Sequence, residues 1–239
     1  MWKDDFPKEN RYFETENGVL YCGDSRELLK SFPAESVDLI IADPPYVGIV
    51  SAEWDKTDVF TEDLIIVLKK LMKEHASLYV WCGIGEKSQT MIDWFLRLKK
   101  FLYFKDLITW KKQRGLGNRR GWLYTREEIL WFVKNNKQYI WNKKYQYSTE
   151  KRNKNRYGYK LKNGKSADQY IKSEFKRLTN IWTDISEPTF NTKGKDKVVG
   201  LHLTPKPLKA IERIIKVHTF ENDLILDPFF RVWNDCSSM

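Results

Sequence analysis

Apolar and polar positions along the chain follow two periods, and the changes between them predict a series of strands and helices. Short apolar runs bounded by turn residues predict buried strands, whereas apolar positions three and four residues apart predict amphipathic helices. The predicted strands cover residues 18–24, 37–42, 77–82, 103–110, 128–133 and 224–229. The predicted helices cover residues 26–32, 61–74, 85–99 and 205–217.

Capping residues mark the starts of three predicted helices. Ser25 precedes the first helix as a predicted N-cap, and Thr61 has the same role in the second. Thr204 and Pro205 suit the N-cap and the first turn of the last helix. Because strands and helices alternate, the pattern predicts an α/β fold with a mostly parallel sheet and helices on both faces.

Composition narrows the class of protein. The 239 residues are 41% hydrophobic, which is enough for one large α/β domain or for one domain plus an insertion. No run approaches the roughly 20 apolar residues of a membrane span, and the polar start predicts no signal peptide. Three cysteines, Cys22, Cys82 and Cys236, and three dispersed histidines lack metal-ligand spacing. We therefore expect a cytoplasmic protein without a metal or a membrane partner.

The positive charge is concentrated in one segment. The net charge is +10, and residues 134–177 contain 14 Lys or Arg against 3 Asp or Glu, so the rest of the chain is nearly neutral. Aromatic residues are interleaved with these Lys and Arg residues. This composition suits a nucleic acid, because the positive side chains can contact its phosphate backbone and the aromatic rings can stack on its bases. A solvated insertion with a small aromatic core is the alternative. The predicted DNA contacts are Lys143, Lys144, Lys151, Arg152, Lys154 and Arg156.

The sequence Asp43-Pro44-Pro45-Tyr46 follows the apolar strand of residues 37–42. Two prolines restrict the backbone, so this loop holds its shape without a ligand. This loop suits a flat base that carries an exocyclic amine. Asp43 and the Pro44 carbonyl can accept hydrogen bonds from the amine, and Tyr46 can stack on the ring of the base. A plain proline turn is the alternative interpretation.

This loop resembles the catalytic loop of the beta-class amino-methyltransferases of DNA that act on adenine N6. The resemblance implies that Asp43, Pro44, Pro45 and Tyr46 are catalytic. Cytosine-N4 relatives more often carry Ser in place of the Asp. The family fold is a Rossmann-like S-adenosylmethionine-dependent methyltransferase sheet, with a permuted motif order and a basic DNA-recognition insertion.

Three further segments resemble motifs of this family. Residues 202–207 resemble its His-x-Thr-x-Lys-Pro motif, residues 223–229 resemble the strand that carries its cofactor motif, and residues 23–24 resemble its Gly-Asp turn. The order of these motifs agrees with the beta class. The resemblance implies that the following residues contact S-adenosylmethionine: Asp24, Thr204, Lys206, Asp227, Pro228 and Phe229.

These motifs divide the chain into three predicted parts. Residues 1–133 form the catalytic half of the methyltransferase domain, residues 134–180 the target-recognition insertion, and residues 181–239 the cofactor side. The predicted activity is site-specific methylation of the adenine amine in double-stranded DNA. Cytosine-N4 methylation and DNA binding without catalysis are the alternatives.

The last nine residues depart from the family. After Phe230 the chain reads Arg-Val-Trp-Asn-Asp-Cys-Ser-Ser-Met, where the family has a glycine loop that approaches the cofactor. One back-translation of this tail, read from its second base, encodes Gly-Ser-Gly-Thr-Thr-Ala-Val-Ala. We interpret the tail as the product of a frameshift that truncates the domain after the motif strand. A coincidence that arises from the freedom of codon choice is the alternative. We expect such a chain to bind S-adenosylmethionine far more weakly than a complete member.

Overall fold

A six-stranded mixed sheet forms the centre of the fold. The computed structural model describes residues 2–49, 55–85, 88–116, 120–151, 174–188 and 205–230. Its strands are β1 (Arg11–Thr15), β2 (Gly18–Tyr21), β3 (Val37–Ala42), β4 (Met72–Cys82), β5 (Tyr103–Leu116), β6 (Tyr124–Val133), β7 (Tyr147–Lys151), β8 (Phe175–Arg177), β9 (Ile181–Trp182) and β10 (Ile225–Leu226). Its α-helices are α1 (Ser25–Leu28), α2 (Glu62–Leu71), α3 (Thr90–Leu98) and α4 (Leu208–His218), and single 3₁₀ turns lie at Trp2–Asp5, Leu29–Ser31 and Lys143–Tyr145.

The strand order of the main sheet is β10-β3-β4-β6-β5-β9. All neighbouring pairs are parallel except those of β6, which runs antiparallel to both β4 and β5. Two smaller antiparallel pairs, β1 with β2 and β7 with β8, lie outside this sheet. Residues 1–133 and 181–230 therefore contribute strands to one common sheet.

Side chains of β3 alternate between two hydrophobic cores. Ile40 and Ala42 pack with residues of α2 and α3 on one face, while Leu39 and Ile41 pack with residues of α4 on the other. All six residues of β3 are buried, as expected of a strand covered on both faces. The predicted α/β sheet with helices on both faces is confirmed, with β6 as its antiparallel member.

A buried carboxylate joins β10 to the centre of the sheet. Asp38 is 1% exposed and accepts a hydrogen bond from the Leu224 backbone N–H at 2.9 Å. Its other contacts are the Lys73 ammonium and the His75 ring, each at 2.7 Å. Burial alone raises the pKa of Asp38, but these donors outweigh it and lower the pKa. The carboxylate thus fixes the entry of β10 beside β3.

Several predicted boundaries differ from the structure. Asp24, rather than Ser25, caps α1, because its side chain accepts from the Arg26 N–H. The helix α4 begins at Leu208 instead of Pro205, since Pro207 disfavours helical backbone at the residue before it. The final strand pairs only over Ile225–Leu226. Within the described ranges, no helix combines the length and apolar character needed to cross a membrane.

Candidate active site

Two parallel strands end side by side where the predicted catalytic and cofactor motifs meet. Leu226 of β10 lies opposite Ile40 of β3, so Asp227 and Asp43 both follow the carboxyl ends of adjacent strands. This edge is where open α/β sheets bind their ligands. The fold thus brings together two motifs that are far apart in the sequence.

A cluster of two acids and two amines lies at this edge. Lys206 Nζ lies 3.0 Å from Asp43 Oδ1 and 3.2 Å from Glu127 Oε2. Lys112 pairs with the other carboxylate oxygen of Glu127. The Lys206 and Glu127 side chains are only 10% and 9% exposed. The four formal charges therefore compensate one another with little help from water.

Tyr46 completes this cluster. Its hydroxyl lies 3.2 Å from Asp43 Oδ1 and 3.4 Å from Glu127 Oε2. The Lys206 ammonium lies 5.0 Å from the centre of the Tyr46 ring, within the range of cation–π attraction. One N–H-bearing group thus faces both a carboxylate and an aromatic ring.

The electrostatics of the cluster follow from burial and mutual pairing. Burial raises the pKa of the Asp43 carboxyl, Lys206 opposes this and Glu127 adds repulsion, so the net shift is upward. Because 27% of the Asp43 side chain is exposed, solvent screens part of the effect. The pKa of Glu127 is lowered, since Lys206 and Lys112 outweigh its burial. Burial opposes the charge of Lys206, but both carboxylates raise its pKa.

The connection after β4 packs closely against the catalytic loop. Ser88 Oγ donates a hydrogen bond to the Tyr46 carbonyl at 2.6 Å. A Cβ placed on Gly83 would lie 3.0 Å from Ser88 Oγ and 3.4 Å from the Tyr46 ring, so this glycine permits the close approach. The Tyr46 ring also meets Trp94 of α3 edge to face, with 6.4 Å between centroids.

The backbone just beyond Tyr46 is strained. Val47 has a φ of +58°, which a β-branched residue rarely adopts. Buried Asp55 holds this turn, because its carboxylate accepts from the Val47 N–H at 3.0 Å and its carbonyl accepts from the Gly48 N–H at 2.7 Å. Such strain persists only where the surroundings fix the conformation.

The cofactor-side residues form the other wall of this edge. Pro228 is buried, Asp227 is exposed, and the Phe229 ring packs 6.2 Å from the Phe60 ring. Protein atoms around Asp227 raise its pKa to about 7, and Asp43 adds repulsion, although the exposed surface of Asp227 limits this shift. The exposed carboxylate of Asp227 at this edge suits a cationic ligand, and the sulfonium of S-adenosylmethionine is one. The residues present therefore fit this cofactor.

Other predicted cofactor residues have different positions. Asp24 caps α1 and pairs with Arg26, and no described contact joins it to the Asp43 cluster. Thr204 lies outside the described residues, as does the tail of residues 231–239. Lys206, which the resemblance assigns to the cofactor, lies against the predicted catalytic Asp43, and its contact with the cofactor stays a prediction.

Three of the six predicted DNA contacts are described in the structure, and two of these lie away from this edge. Lys143, Lys144 and Lys151 are exposed, whereas Arg152, Lys154 and Arg156 lie outside the described residues. Lys143 follows a residue whose N–H donates to a carbonyl in the last turn of α4. Since α4 starts beside Lys206 and has 11 residues, Lys143 and Lys144 lie about 16 Å away, at the opposite edge of the sheet. Their contact with DNA stays a prediction.

Sequence reasoning missed three side chains of this site. They are Lys112, Glu127 and Ser88, which hold Lys206 and the Tyr46 backbone in place. Glu127 and Glu128 stand at the start of a continuous apolar strand, and two acids entering a core require buried partners. That signal indicates a polar site. Over the residues that the structure describes, no group of three or more His, Cys, Asp or Glu side chains is placed to hold a metal ion.

Comparison with known proteins shows the family of this chain. The family model described as DNA methylase, for N6 and N4 methyltransferases, matches residues 37–230. The type II methyltransferase M1.MboII of Moraxella bovis is 31% identical, with 85% of this chain and 80% of the relative covered. The type II methyltransferase M2.LlaDCHI of Lactococcus lactis subsp. cremoris is 29% identical, with 91% and 78% covered.

Solved structures share the fold. The M1.HpyAVI complex with S-adenosylmethionine has a TM-score of 0.52 at 23% identity, covering 87% of this chain and 80% of that one. The cytosine-N4-specific PvuII DNA methyltransferase has a TM-score of 0.62 at 19% identity, covering 92% and 77%. With the family match over most of its length and the shared fold, this chain belongs to the N6/N4 DNA methylase family.

Proposed function

We propose that this protein transfers a methyl group from S-adenosylmethionine to the exocyclic amine of adenine in double-stranded DNA. The observation that carries the proposal is the position of the Lys206 ammonium, which lies 3.0 Å from Asp43 and 5.0 Å from the Tyr46 ring centre. A flipped base whose amine took this place would bond to Asp43 and stack on Tyr46. The carboxylate at position 43 favours adenine over cytosine, by the family resemblance.

The chain's own groups orient the amine. When bound, S-adenosylmethionine supplies an electrophilic methyl group. The lone pair of an aromatic amine is delocalised into the ring, so hydrogen bonds from its two protons to Asp43 and the Pro44 carbonyl favour a pyramidal nitrogen. Most of the gain is positioning and electrostatic stabilisation.

Asp43 and Lys206 also govern the proton. When the base displaces Lys206 from Asp43, the influence that lowers the pKa of this carboxyl withdraws, while burial continues to raise it. Asp43 then becomes a better acceptor for the proton that the methylated nitrogen loses. Lys206 keeps Glu127 as its partner, at 3.2 Å.

A methylation assay on mixed-sequence plasmid DNA tests the proposal, with N6-methyladenine and N4-methylcytosine separated by mass spectrometry. The assay uses the unaltered chain and a variant whose tail after Phe230 reads Gly-Ser-Gly-Thr-Thr-Ala-Val-Ala. We expect N6-methyladenine, and a rate loss of at least about a hundred-fold in Asp43→Asn. The exposed acid in Asp63→Asn is the matched control and should change little.

Binding of the same plasmid separates catalysis from affinity. Asp43→Asn should bind DNA nearly as well as the unaltered chain, because phosphate contacts supply most of the affinity. N4-methylcytosine as the product would refute the adenine assignment. A rate within a few-fold of the unaltered chain would remove Asp43 from the mechanism.

A further inference from the structure

Two exposed apolar residues, here called the tip, lie just before β6 in the hairpin of β5 and β6. Trp122 is 98% exposed and the adjacent Leu123 is 66% exposed. Single exposed apolar residues are ordinary on protein surfaces, but a tryptophan displayed almost completely beside a leucine forms a larger apolar feature. Such a tip suits a partner with a flat apolar surface.

The charge of this hairpin identifies the kind of partner. Residues 111–126 contain six Lys or Arg and no Asp or Glu, and two of the six, Lys112 and Arg126, pair with Glu127 and Glu128 directly after this range. The described members of this set include Lys111 and Arg126, which face each other on the paired strands. A basic hairpin with an aromatic tip complements a polyanion that contains stacked rings, which is the chemistry of duplex DNA.

The hairpin projects from the catalytic edge. Tyr124 lies beside the end of β4, where its hydroxyl accepts from the Ile84 N–H at 3.3 Å. Glu127, on the same strand, reaches the Tyr46 hydroxyl at 3.4 Å. The strand β6 extends about 10 Å from Glu127 back to its first residue, Tyr124, and Trp122 lies two residues before that. That length exceeds the depth of the major groove, about 8.5 Å.

Close packing fixes the base of this tip. A Cβ on Gly115 would lie 2.9 Å from the Leu123 Cβ and 3.0 Å from the Thr125 Cγ2. Only a glycine lets the two strands approach this closely. The pairing register shifts between Lys111 and Leu116, where the bulged strand passes this contact.

We propose that Trp122 is a wedge that enters the duplex and occupies the gap left in the base stack when the target base leaves it. This inference rests on the proposed function, because only a base that leaves the stack can reach Tyr46. Removal of the base costs stacking, and an inserted aromatic ring restores part of it. The basic residues of the hairpin attract the flanking phosphates.

Binding to a 30-base-pair duplex of mixed sequence tests the wedge, with and without one abasic site at its centre. This probe needs neither the cofactor nor the recognition sequence. The unaltered chain should prefer the abasic duplex about tenfold, because its gap is already open. Trp122→Ala should abolish this preference, and Trp122→Phe should restore most of it. Phe13→Ala removes an aromatic residue that is 61% exposed in β1, and it should keep the preference.

Each outcome decides the proposal. Retained preference in Trp122→Ala, or no preference in the unaltered chain, overturns the wedge and leaves the methyltransferase proposal standing. An equal decrease in Phe13→Ala overturns it as well, because the effect would then not belong to the hairpin. Absence of binding to either duplex overturns both proposals together.

Discussion

The ammonium of Lys206 lies where the proposed mechanism requires the amine of the target base. In the free protein it bonds to Asp43 and faces the Tyr46 ring, so it holds these groups in the geometry that the base would need. Entry of the base must therefore exchange one donor for another on Asp43. Glu127, 3.2 Å from Lys206, offers the ammonium a second carboxylate during this exchange.

Replacement of Glu127 by Gln should destabilise the fold by about 3 kcal/mol, because it leaves two amines with one carboxylate in a mostly buried cluster. Urea denaturation measures the destabilisation. Glu150→Gln is the matched control, since Glu150 is 67% exposed and pairs with Lys176 on the surface. That control should be destabilised by less than about 1 kcal/mol. Equal effects in the two variants would contradict the buried-cluster interpretation.

Individual site residues were predictable only where the motif itself contains them. Asp43 and Tyr46 follow directly from four consecutive letters, because the prolines restrict the backbone around them. Glu127 and Lys112 belong to two strands whose apolar pattern dominates the sequence. The contacts of Glu127 with Lys112 and Lys206 depend on how three distant segments meet, which local pattern does not encode.

At the scale of elements, α4 is anchored at both ends. Lys206 precedes its first turn at the catalytic edge, and His218 ends it in a buried polar contact. His218 Nδ1 donates to the Ile140 carbonyl at 2.8 Å. Burial lowers the pKa of His218 to about 4, so the ring is neutral at pH 7 and Nε2 accepts from the Tyr79 hydroxyl at 2.6 Å.

This neutral ring predicts a pH-dependent stability. The unfolded chain binds a proton at His218 near pH 6.5, whereas the folded chain binds it only near pH 4. The contribution of His218 to the free energy of unfolding is therefore fully present above pH 6.5 and falls as the pH decreases towards 4. Between pH 7 and pH 5 the decrease from this residue is about 2 kcal/mol. Urea denaturation of His218→Gln should show a correspondingly smaller decrease. Identical decreases would mean that the ring is protonated in the folded state.

Element boundaries were less predictable than element types. The strand at Val37–Ala42 was predicted correctly, because a short apolar run that ends at turn residues is typical of a strand buried on both faces. The helix α2 ends at Leu71 and β4 begins at Met72, although the amphipathic pattern continues to Glu74. Pairing with β3 across the sheet overrides the local helical pattern there.

At the scale of the molecule, positive charge is concentrated in two separate stretches of the sequence. The predicted insertion supplies the net charge, while the basic β5–β6 hairpin lies at the catalytic edge. The charge sum over residues 134–177 identified the predicted insertion. It missed the hairpin, because acidic residues elsewhere cancel the hairpin's positive charge in a sum over the rest of the chain. Local charge, rather than regional totals, identifies such a surface.

The salt dependence of DNA binding tests the insertion. Replacement of Lys151, Arg152, Lys154 and Arg156 by Ala should lower the slope of log affinity against log salt by about 0.9 for each phosphate that the protein no longer neutralises. Filter binding at several salt concentrations gives this slope. Replacement of Lys69 and Lys70, which are exposed at the end of α2, is the control and should leave it unchanged. An unaltered slope in the fourfold variant would identify residues 151–156 as a solvated surface.

The neighbouring positions of Asp43 and Asp227 have a consequence for synthesis on the ribosome. A chain made at about 5–20 residues per second exposes its catalytic loop for roughly 10 to 40 s before β10 is available to pair with β3. During this interval the edge of β3 is unpaired, and Asp43 has no cofactor wall beside it. The nascent chain is therefore vulnerable to edge-to-edge association until its last described strand closes the sheet.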